Sequence, residues 1–103
     1  MVNLDELREL IASHDEWLLV SEFGPAFPLE KHEIEIIDDG EKFFFGFLDD
    51  NGYHAWRLNG FARQGDEIAI DVAGAFGRKR ETMRLISRVS AALLTAEIEL
   101  ARL

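Results

Sequence analysis

Five cations crowd residues 78–88, where Arg78, Lys79, Arg80, Arg84 and Arg88 stand against one acid, Glu81, a local net of +4. Arginine offers phosphate two parallel N–H groups, so such a strip suits a nucleic-acid backbone. If residues 80–88 are extended, Arg80, Arg84 and Arg88 share one face of a strand. Two readings stay open. The strip docks a polyanion or an acidic partner, or it is balanced internally, with Arg84 and Arg88 pairing to Glu33, Glu35 or Asp71 across a sheet. Internal balance is the ordinary fate of such residues, and it leads.

Catalytic or metal chemistry has thinner support. The histidines are His14, His32 and His54, and no two stand at the two- or four-residue spacing of a local metal pair. His32 and His54, brought together across neighbouring strands, would join Glu33 in a small polar cluster. Glu33 and Glu35, two apart on a strand, would put two carboxylates on one face, able to hold a divalent cation or share acid–base work. That spacing is equally the wet face of a half-buried strand. Ser21, Ser87 and Thr95 lack the G-x-S-x-G context of an activated serine. Residues 74–80 (GAFGRKR) are no phosphate loop, because Arg78 separates Gly77 from Lys79 and Arg80 stands where Ser or Thr is needed. With no cysteine, thiol chemistry, thiolate zinc and disulfides are excluded, and a reducing, cytoplasmic setting fits. No metal or cofactor is expected, and no motif supports an enzyme.

The aromatic set is Phe43, Phe44, Phe45, Phe47, Tyr53, Trp56, Phe61 and Phe76. Exposed, it would make a stacking platform for bases or an apolar ligand. Buried, it is core, and core is the expectation for the FFFGF run, with Trp56 and Phe76 the best candidates for partial exposure. Gly46 inside that run implies a bend, a bulge or close approach by another group.

The whole chain has 103 residues, 48% of them hydrophobic, and a formal net charge of −9. That length is one domain, residues 1–103, able to bury about two-thirds of its surface. The apolar fraction rules out a disordered acidic tail. No run approaches about 18 apolar residues, so no membrane span is expected. The charge is uneven. Residues 1–56 hold three basic and fourteen acidic residues, net −11, whereas residues 57–103 hold eight and six, net +2. The acidic balance opposes a dedicated nucleic-acid binder without excluding one local contact.

The elements that must position these groups are legible in outline. Asn3 is a good N-cap with Glu6 three residues on, Val2 and Leu7 suit a hydrophobic staple, and Leu4, Leu7, Leu10 and Ile11 form a helical stripe over residues 4–14. Residues 17–23 read as a strand, followed by a stiff loop that holds both prolines, Pro25 and Pro28. His32, Ile34 and Ile36 alternate with Glu33 and Glu35. Asp39-Gly40 and Asn51-Gly52 are hairpin signals on either side of residues 42–48. Residues 53–63, interrupted at Gly60, and residues 67–73 complete a four-stranded meander. Met83 and Leu85 alternate with Arg84, favouring a fifth strand, although Ile86, Val89, Leu93, Ala96, Leu100 and Leu103 also make a heptad. Ser90 then caps a C-terminal helix that ends with no stop signal.

The expected fold is α+β: an N-terminal helix, a strongly twisted antiparallel meander of five or six strands that can curl toward a half-barrel, and a C-terminal helix. The unfinished last helix suggests an N-terminal domain of a longer cytoplasmic protein, or a helix that docks in a homo-oligomer. The expected function is a non-catalytic, protein-binding interaction module whose partner is another protein or a downstream domain of the same chain. The alternative is an accessory nucleic-acid-binding domain that uses the basic strip.

Overall fold

The structure, a computed structural model, describes residues 2–22, 24–73, 80–89 and 92, and 64% of these are in strands. Helix α1 (Leu4–Ala12) forms where its caps dictate: the Asn3 side chain accepts the Glu6 N–H at 3.1 Å, and Asp5 and Glu6 sit at the positive end of the dipole. Leu4, Leu7 and Ile11 are its buried stripe. A helix leaves its last carbonyls without partners. Here Ser13 donates from both its N–H and Oγ to the Leu10 carbonyl, and the Trp17 indole donates to the Ile11 carbonyl at 2.9 Å.

Seven strands follow: β1 (Glu16–Ser21), β2 (Gly24–Glu30), β3 (Ile34–Asp38), β4 (Phe43–Asp49), β5 (Gly52–Gln64), β6 (Glu67–Ala73) and β7 (Arg80–Ser87). They form one antiparallel sheet in the order β2-β1-β7-β6-β5-β4-β3. The meander of β3 to β7 is therefore present, and β1 pairs with β7 to extend it. Gly52, at φ +115°, takes the left-handed backbone that the Asn-Gly turn requires.

The long strand β5 bends the sheet. Its first half pairs with β4 and its second half with β6, and a register shift between Leu58 and Gly60 leaves Asn59 unmatched. Such a bulge kinks a strand and raises its twist. The sheet curls into a half-barrel. Leu29, on one edge strand, and Ile34, on the other, share a single core with Leu7 and Ile11 of α1, together with Trp17, Phe45, Phe47, Ile70, Met83 and Leu85.

Three expectations need correction. The fold is mostly β, and the described residues hold one α-helix and a sheet of seven strands rather than five or six. The additional strand is β2, read from sequence as a proline loop. Proline removes a ladder donor, which an edge strand tolerates because alternate N–H groups face away from the sheet. Second, His32 and Glu33 do not alternate on a strand. They lie in a 3-10 turn, Lys31–Glu33, tied to the Asp15 carbonyl by the Lys31 N–H at 2.9 Å. Third, no C-terminal helix is seen among the described residues. Arg88 and Val89 turn helical after β7, and the remainder of the expected helix, Ala92 apart, lies outside the described residues, as do Arg78, Lys79 and Phe76.

Both sheet edges are blunted. Pro25 and Pro28 interrupt the donor row of β2, and the Arg8 guanidinium of α1 donates to the Ile36 carbonyl of β3 at 3.0 Å. Each device suppresses edge-to-edge pairing of chains.

Candidate functional site

Strand β7 buries Met83, Leu85 and Ser87 and exposes Arg80, Thr82 and Arg84, so Arg80 and Arg84 share the outer face, with Arg88 just past its end. All three meet carboxylates of this chain. Arg84 donates from Nε and a terminal nitrogen to Glu67 Oε2 at 3.0 and 2.6 Å. Arg80 lies 4.0 Å from Asp71, and Arg88 lies 3.7 Å from Glu16. Of the carboxylates the sequence suggested only Asp71 takes part, and it meets Arg80 rather than Arg84 or Arg88. Glu67 and Glu16 are supplied by β6 and β1, the strands that flank β7. Exposed pairs of this kind contribute at most about 1 kcal/mol each. Their effect is on the field: each carboxylate offsets the positive charge of the arginine it meets.

The polar cluster is not gathered. His32 Nδ1 lies 3.2 Å from the Glu30 carboxylate, the Glu33 carboxylate accepts the Glu30 N–H at 2.8 Å, and His54 Nε2 lies 3.0 Å from Asp49. Glu35 is held by neither histidine and accepts the Tyr53 hydroxyl at 3.2 Å. Among the described residues no group of three His, Asp or Glu side chains is placed to hold a metal. Glu81, opposite Val72, keeps one carboxylate oxygen buried without a hydrogen bond, and nothing among the described residues explains it.

Strands β4 and β5 sort the aromatic residues onto two faces. Phe45 and Phe47 are buried inward, and Phe47 stacks with Trp56 at 5.3 Å and meets the His54 ring at a tilt at 5.4 Å. This inner layer is core, as expected for the FFFGF run. Asp49 closes the hairpin beneath it. Burial alone would push its carboxyl up, but hydrogen bonds from His54 and the Asn51 and Gly52 N–H groups, with the His54 charge, outweigh burial and hold it below the ordinary range.

The outer face of the same hairpin was not anticipated. Leu48 and Tyr53 lie directly opposite each other and are 53% and 48% exposed. The Tyr53 ring folds diagonally over Gly46: a Cβ built there would strike its hydroxyl and lie 2.9 Å from Cζ. The close approach that Gly46 implied is thus made by Tyr53, which ends on Glu35. Half-buried Ile37 and Phe44 extend the patch, and Arg57, opposite Phe44, bounds it.

Burial, then the Glu35 charge and the hydrogen bond to it, push the Tyr53 phenol above its ordinary 10.0. Tyr53 is the chain's one tyrosine, so tyrosinate absorbance reports it alone. The titration is expected to have its midpoint above 10, and Glu35→Gln should bring it back toward 10. A midpoint at the ordinary value, indifferent to that change, would remove the contact. The raised phenol also stabilises the fold below pH 10, a contribution lost as pH climbs through the folded-state value.

No helix among the described residues is long and apolar enough to cross a membrane. Searches of protein-family profiles, curated proteins and solved structures find no match to this chain.

Proposed function

We propose that the chain is a non-catalytic, protein-binding interaction module that works in the cytoplasm as an accessory domain of a larger protein. The observation that carries this reading is the outer face of β4 and β5, where two large apolar side chains stand exposed side by side. Isolated exposed apolar residues are ordinary, whereas adjacent ones rimmed by polar groups mark contact sites. Tyrosine gives such a site a large contact area with few torsions to freeze. The cysteine-free composition fits a reducing compartment. A nucleic-acid role through Arg78, Lys79, Arg80, Arg84 and Arg88 has weaker support, since the three described arginines already face Asp71, Glu67 and Glu16.

A photo-crosslinking side chain at position 48, compared with one at Ala62 on an exposed stretch of β5, tests the reading in cells. A discrete protein adduct at 48 and none at 62 is expected. Adducts that disappear with nuclease, or equal smears from both positions, would overturn it.

A further inference from the structure

We infer that the outer face formed by β3, β4 and the first half of β5 docks a cationic protein segment carrying an apolar anchor. This rests on the interaction reading and adds the chemistry of the partner.

The apolar floor comes first. Leu48 and Tyr53 are paired across β4 and β5, with Phe44 and Ile37 further along the same face. The tyrosine is fixed before anything binds, because its ring lies on Gly46 and its hydroxyl donates to Glu35. A side chain already held in place loses little entropy on association, which is why rigid aromatic groups recur as binding anchors.

The rim supplies the sign. Glu35 lies beside the ring, and Asp50 is exposed in the turn after Leu48. These acids belong to the part of the chain, residues 1–56, with net charge −11. Cations are drawn to such a field, and one that reaches the tyrosine ring also gains a cation–π contact. Nucleic acid and anionic lipid surfaces are repelled by the same field. A second copy of this chain is disfavoured as well, since each copy carries −9. Arg57, at the far end of the patch, favours one orientation of a segment whose own charge is uneven.

The test uses the whole chain, isotope-labelled for amide NMR, titrated with three synthetic peptides of equal length: Lys/Leu, Lys/Ser and Glu/Leu. The Lys/Leu peptide should shift the Leu48 and Tyr53 amides, and its binding should weaken steeply with added salt. Leu48→Ser and Tyr53→Ser should each weaken it about tenfold or more, whereas Ala62→Ser should not. Leu48 and Tyr53 are exposed, and a thermal melt of each variant confirms that it remains folded. Equal binding by Lys/Ser would show that charge alone acts and would overturn the proposal. Preferential binding of Glu/Leu at the same amides would overturn the cationic partner and leave the interaction module standing. A concentration-dependent dimer that shifts those amides without peptide would make a second copy the occupant. No shift with any peptide, in a chain that stays monomeric, would overturn both readings.

Discussion

Trp17→Ala is expected to be the most damaging single substitution in this chain. Trp17 is 1% exposed, and its ring lies in the core shared by α1 and the sheet. Truncating a buried tryptophan costs about 3–5 kcal/mol in lost transfer energy and residual cavity. The side chain also joins two elements, because its indole N–H satisfies the buried Ile11 carbonyl in the last turn of α1. Removing it strands that carbonyl under the helix end, an additional cost of about 1–3 kcal/mol if water does not reach it. Domains of this size are stable by only about 5–15 kcal/mol. At about 4–8 °C per kcal/mol, the melting temperature followed by far-ultraviolet circular dichroism should fall by tens of degrees. Trp17→Phe keeps an aromatic ring but loses the donor and part of the bicyclic volume, so it should recover much of that loss. A Trp17→Ala variant that melts with the parent would show that α1 is not held through this residue. Equal losses for Phe and Ala would assign the effect to the hydrogen bond rather than to the ring.

The features legible in sequence were those set by neighbours along the chain. The Asn3 cap, the Leu4–Leu7–Ile11 stripe and the turns at Gly40 and Gly52 each depend on residues within a few positions. Gly60 read as an interruption, and the bulge falls beside it. Residues 80–88 carried both strand and heptad patterns. The strand prevails over Arg80–Ser87 because β6 and β1 both pair with it, burying Met83, Leu85 and Ser87. Features set by strand order were hidden. Whether a stretch holding Pro25 and Pro28 is loop or edge strand depends on having one neighbour rather than two, which local sequence does not record. Glu67 and Glu16, which meet Arg84 and Arg88, were hidden for the same reason, since β6 and β1 are the strands that lie beside β7. Of the carboxylates the sequence offered, Asp71 alone meets one of these arginines, and it meets Arg80. The exposed face had one sequence signal, Gly46 inside an aromatic run. Reading it fully required the register that sets Tyr53 diagonal to it.

That register makes Gly46→Ala and Gly46→Val the second large expectation. A Cβ at position 46 would collide with the Tyr53 hydroxyl, lie 2.9 Å from Cζ and lie 3.0 Å from the His54 carbonyl oxygen. These obstacles are unequal. The tyrosine ring is half exposed and can swing away, but the His54 carbonyl belongs to the backbone of β5, paired to β4 through Phe47. Overpacking of this kind costs about 1–3 kcal/mol for one added methyl, and valine should cost more than alanine. Urea unfolding should show a lower midpoint with an unchanged slope, the mark of a native-state effect. Replacing Tyr53 by Ala removes the movable obstacle and leaves the fixed one. In that background Gly46→Ala should therefore cost less, without becoming neutral, and the difference is the coupling between the two positions. The tyrosine titration gives a second readout. Once the ring is displaced it loses Glu35, so its midpoint in Gly46→Ala should return toward 10.0. If Gly46→Ala is as stable as the parent and leaves that titration unmoved, the ring does not lie over Gly46. The preformed face on which a cationic partner would dock then loses its anchor.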